Sequence, residues 1–422
     1  MIRDREVSFR NGARRSMGVF FFLFVLYGVP SLAQDWPQWR GPKRAGVAGA
    51  GPEVAWDKTP QQAWSIEVGE GHAAPVVQDG RIWLHSRVDD RETVFCLDLE
   101  QGTVLWRQAY DAPYQMDPNA TGHGPGPKST PVLHQGRLFT LGISGILSAW
   151  DADEGTLLWR RGFTDEFETT SPLFGTAASP LASGDMVYAQ IGGHDRGAVR
   201  AFGVADGQTR WSWEGDGPGY ASPILIEVDG VRQLVMQTQR HFVGLEAAGG
   251  TQLWKAEYTT PHYQNSVTPV QAGDLLLVSG LDQGLLALRP VRDEAGWKVE
   301  TAWSTREVSL YMSTPVLSGG VLYGLSHFKN GQYFGLDPHS GQVRWVSPGR
   351  QGEHASLLSS GGVVVALDTA GDLLVFGSDG TGFEPAARHR LAATPTWAHP
   401  APLADGLLVK DKFTLARWRF AP

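Results

Sequence analysis

Cysteine is almost absent from this chain: among 422 residues there is one, Cys96, so no intramolecular disulfide can form. Its neighbours Val94, Phe95 and Leu97 read as a buried strand, which makes Cys96 a small apolar core residue. No C-x-x-C-H occurs, so the chain has no attachment site for a haem that could serve as a built-in electron acceptor. The nucleophile elbow, the Walker loop and the zinc-protease helix are missing as well. Charge is sparse, at 19% Asp, Glu, Lys and Arg with a net of −8, and no Lys/Arg run follows the first fifteen residues. Nonspecific nucleic-acid binding rests on basic patches, so that class of partner is excluded. Past residue 34 no apolar stretch is long enough to span a bilayer.

The N-terminus is different. Arg3, Arg5, Arg10, Arg14 and Arg15 form a basic region, Met17 to Val29 is apolar, and Ser31-Leu32-Ala33 puts small residues where a signal peptidase cuts. Residues 1–34 are expected to be a signal peptide, cleaved near Ala33-Gln34, with the mature chain periplasmic or extracellular. Arg14-Arg15 is a weak twin-arginine signal. No cysteine follows the cut, so no lipid anchor is expected.

What the sequence has in plenty is glycine, 52 residues, and tryptophan, 16. Many glycines mean many tight turns and short strands. The tryptophans recur in a fixed pattern of an acidic residue, glycine four residues on, and tryptophan four further. Asp98, Gly102 and Trp106 fit it, as do Asp151, Gly155, Trp159 and Asp337, Gly341, Trp345. Glu246, Gly250, Trp254 fit with Glu, and Gly203, Gly207, Trp211 with Gly in the acidic place. A second signature, a small or hydroxyl residue before proline, falls between these: Ala74-Pro75, Thr130-Pro131, Ser179-Pro180, Ser222-Pro223, Thr268-Pro269 and Thr314-Pro315. Ser356-Leu357 and His399-Pro400 hold the seventh and eighth places. Steps of 43 to 56 residues between these prolines are a propeller period.

Each unit reads as four strands joined by glycine turns; in the second these are 129–133, 137–142, 146–151 and 156–160. The glycine after the acidic residue either needs a positive φ or has no room for Cβ. The Asp can bond turn amides, and the tryptophan can wedge between blades. These residues are structural. Gln62 to Ile66, around Trp64, looks like a fourth strand with no first three before it, while Pro400 to Phe420 offers about three strands and no fourth. The expectation is an all-β, eight-bladed β-propeller of four-stranded antiparallel blades over residues 62–422, its last blade closed by the N-terminal strand, with a lead-in segment over 35–61. Two units depart from the pattern: the fifth has an insertion from Arg289 to Trp297 before Trp303, and the seventh replaces the tryptophan signature with Gly377 to Leu391.

These repeats resemble the quinoprotein-like, or PQQ-binding-like, β-propeller family. The resemblance is nearest to exported BamB-like proteins in Asp35-Trp36-Pro37-Gln38-Trp39-Arg40-Gly41-Pro42, Gly71-His72-Ala73-Ala74-Pro75, Gly126-Pro127-Lys128-Ser129-Thr130-Pro131, Gln351-Gly352-Glu353-His354-Ala355, Pro395-Thr396-Trp397-Ala398-His399-Pro400 and Val409-Lys410-Asp411-Lys412. Two roles are implied. One is a non-catalytic scaffold binding a protein or peptide in outer-membrane protein assembly or a related envelope role. The other is a dehydrogenase using pyrroloquinoline quinone with Ca²⁺, whose adjacent cysteine pair this chain lacks. The first is the leading expectation: a monomer with no cofactor, no metal and no catalytic residue.

First strands line a propeller's axis, so residues just before each proline are expected around one mouth. There the chain has His72, His123, Lys128, Tyr220, His262, Tyr263, Tyr311, Glu353, His354, Trp397 and His399. This set reads as a hydrated, hydrogen-bonded rim, as a site for a small molecule or peptide, or, most weakly, as a metal site, because His72, His123, His354 and His399 come from different blades and spacing does not fix their distances. His194, Asp195 and Arg196 read as a polar turn between strands.

Overall fold

The computed structural model describes residues 35–49 and 54–420; the signal-peptide segment lies outside them. Eight four-stranded antiparallel sheets follow one another along the chain. Blades one to seven span 76–111, 132–161, 181–213, 224–257, 270–305, 316–346 and 355–390. Blade eight joins the strands at 401–403, 406–410 and 414–419 to Gln61–Glu67, which pairs antiparallel with Thr414–Arg419. The N-terminal strand therefore closes the ring, as the unpaired strand around Trp64 predicts. Closure through hydrogen bonds leaves no free blade edge at the join.

The chain runs alternately through each blade. One face of the ring, here the upper, carries the connections between blades and the turns between second and third strands. The lower face carries the first and third turns. The core lies between blades: Val76, Trp83, Val94 and Cys96 of blade one pack with Leu133, Leu138 and Trp150 of blade two. Cys96 is fully buried there, and burial pushes its thiol up to about 12, which leaves it inert.

The tryptophan signature acts between neighbours. The register shifts by one residue between third and fourth strands in all eight blades, at Cys96/Leu97 and Ala149/Trp150 for example. Such a bulge bends the strand and re-aims its side chains. The indole then lies on the glycine of the following blade. A Cβ on Gly102, Gly155, Gly207, Gly250 or Gly341 would come within 2.4–2.6 Å of Trp64, Trp106, Trp159, Trp211 and Trp303 respectively. These glycines also have φ between 64° and 75°, so both reasons for glycine apply at once. Each indole N–H donates to a carbonyl in the same turn: Trp64 to Leu99, Trp106 to Ala152, Trp159 to Val204, Trp211 to Ala247 and Trp303 to Pro338. Asp98, Asp151 and Asp337 tie the turns by accepting amide bonds.

Trp211 and Trp254 are buried, whereas Trp106, Trp159 and Trp345 keep part of their surface in solvent. The wedge sits at the blade rim, where the lower face opens. Blades five and seven lack the turn, and the tryptophans preceding them lose their acceptor. Trp254 donates instead to Gln233 of its own blade, 2.7 Å away. The Trp345 N–H is buried with no partner, and its ring packs against Phe376 and Phe383 of blade seven. Trp211→Phe is therefore expected to cost about 1 kcal/mol, the net worth of one lost hydrogen bond, since the Tyr188 hydroxyl still donates to the Ala247 carbonyl. Trp345→Phe is expected to be neutral or stabilising, because it removes an unpaired buried donor. Urea denaturation of both variants measures the difference; equal losses would sink this reading.

The hydroxyls before the prolines form a second ring. The amides of Ala74, Thr130, Ser179, Ser222 and Thr268 donate to the side-chain oxygens of Thr130, Ser179, Ser222, Thr268 and Thr314, one blade on, at 2.9–3.3 Å. First strands cannot pair with one another across the axis, so this girdle satisfies backbone that no sheet reaches.

Candidate functional site at the upper mouth of the axis

The segment 35–49 closes the lower mouth. Trp36 exchanges two backbone bonds with Val77, the Pro37 carbonyl accepts from Leu133, and Gly46 and Ala48 bond Ser359. From this strap Arg40 and Arg44 reach up the axis. Arg40 donates to the carbonyls of Thr314, Leu357, Ala45 and Pro315. Arg44 donates to Gln38, Pro180 and Ser179. Trp39 lies beside both guanidiniums and meets His399 edge-on at 5.2 Å. Desolvation lowers both arginines to about 9, so they stay charged at neutral pH. The channel is thus blind from below.

The upper mouth holds a cavity of about 170 Å³ lined by His72, His123, Lys128, Phe174, Ala177, Tyr220, Gln264, Ser266, Met312 and Trp397. These residues come from the inter-blade connections, which vary in length because they carry no strand pairing. The rings form a chain: Trp397 to His123 at 5.2 Å, His123 to Phe174 at 6.2 Å, Phe174 to Tyr220 at 5.9 Å. His354 tilts on Trp397 at 4.9 Å and meets Tyr311 at 5.1 Å.

Of the residues expected around this mouth, the structure gathers His72, His123, Lys128, Tyr220, Trp397, His354 and Tyr311. Glu353 is exposed on the rim. Tyr263 stands apart, against His194 and Arg240. His399 belongs to the pre-proline ring itself and faces the plug, because it lies directly before Pro400 rather than in the longer connection above. The sequence reading did not single out Phe174, Gln264, Ser266 and Met312, and no periodic signal marks them. It also gave Lys410 no role. Lys410 is fully buried, and its ammonium donates to the carbonyls of Gly69, Gly71, Asp411 and Lys412 at 2.6–3.2 Å. It pins the loop that presents His72. Desolvation lowers it to about 7, while Asp411 and Glu70 act to raise it.

The site is weakly charged. Burial drives His72 down to about 3 and His354 to about 4, and lowers His123, so all three are neutral at physiological pH. His72 Nε2 lies 2.8 Å from the His123 carbonyl and must carry the proton; its Nδ1 is buried and unpartnered. Lys128 donates to the Phe174 carbonyl. A quinone triacid with Ca²⁺ would need several cations and a carboxylate ligand set. The lining has one cation and no carboxylate, and among the described residues no group of three or more His, Cys, Asp or Glu side chains could hold a metal. At about 170 Å³ the cavity also falls below the roughly 300–1,000 Å³ of usual cofactor clefts. The residues do not fit that cofactor.

The comparisons with known proteins agree with this architecture. The family model described as outer membrane protein assembly factor BamB matches residues 90–347, and the chain belongs to that family of PQQ-like repeat propellers. Its relatives fall in two groups. The outer membrane protein assembly factor BamB of Yersinia pestis is 26% identical over 255 residues, 58% of this chain and 62% of that protein. The 1-butanol dehydrogenase (cytochrome c) of Thauera butanivorans is 24% identical over 373 residues, 81% of this chain and 51% of that protein. The chain thus spans less than two thirds of either relative. Among solved structures, BamB from Moraxella catarrhalis aligns with TM-score 0.61 at 16% identity, covering 86% of this chain and all of that one. The quinohemoprotein alcohol dehydrogenase of Comamonas testosteroni aligns with TM-score 0.68 at 14% identity, covering 92% and 80%. At such identities the structural likeness speaks for the fold alone. Among the described residues no helix is long and apolar enough to cross a membrane.

Proposed function

We propose that this protein is an exported, non-catalytic propeller that binds a protein or peptide partner at its upper mouth, in a role related to outer-membrane protein assembly. The observation that carries this reading is the asymmetry of the axis. The lower mouth is plugged by the chain's own arginines, while the upper mouth is a shallow aromatic cavity with no carboxylate to hold a cofactor's metal. A blind cavity of that size suits insertion of one or two side chains from a partner, with the rim supplying hydrogen bonds. The BamB relatives support the same direction through the assembly role in their name. The dehydrogenase relative motivates the alternative, a quinone enzyme or a remnant of one.

Photo-crosslinking separates the two. A benzophenone amino acid at position 123 in the upper mouth is expected to yield a discrete partner adduct in cells. The same probe at the exposed Asp153 on the lower face should yield none. Pyrroloquinoline quinone with Ca²⁺ should bind the purified protein more weakly than about 100 μM, a free energy of only about 5.5 kcal/mol. Sub-micromolar quinone binding that Lys128→Ala abolishes would make the enzyme the better reading.

A further inference from the structure

We propose that Lys128 is a nucleophilic amine that captures small aromatic aldehydes in the upper-mouth cavity as an imine. This goes beyond partner binding and does not rest on it. The geometry has three parts. Among the described residues Lys128 is the only cationic side chain lining the cavity, and no carboxylate lines it. Its ammonium has one hydrogen bond, to the Phe174 carbonyl, a neutral acceptor that does not anchor the positive charge as an ion pair would. The walls are the rings of Phe174, Tyr220, His123 and Trp397, which offer faces and edges to a planar ligand. A cavity of about 150 Å³ accommodates benzene, so the volume here, about 170 Å³, suits one substituted ring.

The surroundings favour the free amine. Desolvation lowers Lys128 to about 8. The charged and titratable groups near it are neutral or committed elsewhere. His72 and His123 are neutral. The Glu70 carboxylate pairs with Lys412 at 3.1 Å, and Lys410 is held by the carbonyls of Gly69, Gly71, Asp411 and Lys412. Desolvation in an apolar pocket is a recognised way to activate a lysine amine.

The step balances without an oxidant or a second reagent. The Lys128 nitrogen pair forms a bond to the aldehyde carbon, and the carbonyl π pair moves to oxygen. A proton passes from nitrogen to that oxygen, giving a carbinolamine. The nitrogen pair then forms the C=N bond as hydroxide leaves, taking a proton to become water.

The test is reductive trapping of the full chain with benzaldehyde and cyanoborohydride at pH 7.5, read by peptide mapping. Lys128 is expected to be benzylated at least about tenfold faster than the exposed Lys298, since a group near 8 is far more often neutral there than one whose hydrogen bonds to Glu300 and Asp293 hold it above the ordinary lysine range. The ratio of Lys128 to Lys298 labelling, in which the reduction step common to both cancels, should fall as pH rises through about 8. Lys128→Arg should remove only this modification. Wild-type mapping decides the matter even if that variant misfolds: equal labelling of Lys128 and Lys298 at pH 7.5, or a ratio that does not fall as pH rises, overturns the proposal.

Discussion

Arg40→Ala is expected to destabilise the protein by roughly 3–5 kcal/mol. Arg40 is 1% exposed and holds four carbonyls, two from Thr314 and Pro315 at the entry to blade six, one from Leu357 of blade seven and one from Ala45 of the strap. Two effects oppose each other. Removing the guanidinium relieves its desolvation, since it has no carboxylate partner. Against that, several buried carbonyls lose their only side-chain donor, at about 1–3 kcal/mol each where water cannot replace it. The strap also loses its anchor, because the Gly46 turn packs directly on the guanidinium. Because these losses are several and the relief is single, the net sign is destabilising. Arg40→Lys should recover little, since one ammonium cannot reach acceptors spread across two blades. Guanidinium denaturation measures the change, and a loss below about 1 kcal/mol would show that the strap is merely laid across the mouth.

Acidification is expected to produce the second large effect. His72 and His354 are each 9% exposed, and burial holds them at about 3 and about 4 against an ordinary value near 6.5. A folded value below the unfolded one means that the unfolded chain takes up the proton first. The stability associated with each histidine is therefore complete above about pH 6.5 and is lost as pH falls toward the folded value. Each contributes a slope of about 1.4 kcal/mol per pH unit inside that window, so the pair should remove roughly 3–5 kcal/mol between pH 6.5 and 4.5. His399, under Trp39 and Arg40, is lowered by desolvation and then by Arg40, and adds in the same direction. Calorimetry across this range should show the melting temperature falling steeply. The His72→Gln/His354→Gln double variant should flatten the decline, and an unchanged slope would mean that other groups drive it.

Much of this architecture was legible because propeller stability is repetitive and local. The spacing from Asp98 to Gly102 to Trp106 encodes a turn, a bulge and an indole that must meet the next blade, so copies of it count the blades. The lone strand around Trp64 predicted ring closure because an unpaired edge and a missing fourth strand can satisfy only each other. The pre-proline hydroxyls were visible as a pattern, but their purpose was not. A hydroxyl that accepts a bond from the neighbouring blade is set by the separation of two first strands, and spacing along one chain does not contain that distance.

The site was legible only in outline. The rim composition marked His72, His123, Lys128 and Trp397, because residues before first strands must lie near the axis. Tyr263 and His399 carried the same mark and went elsewhere. Tyr263 follows a connection that folds outward onto His194 and Arg240, and His399 sits one step deeper and meets the plug. The segment 35–49 shows no repeat, so its sequence could indicate a kinship but not a place. By itself the sequence determined an eight-bladed, closed, all-β ring whose blades dock through tryptophan and glycine, because those contacts recur at fixed offsets along the chain. Only the tertiary structure decided that one mouth is sealed by Arg40 and Arg44 and that the other is an aromatic cavity whose described lining holds a single lysine and no carboxylate. Those features join residues up to several hundred positions apart, and whether a buried group keeps or loses its charge depends on what surrounds it in space.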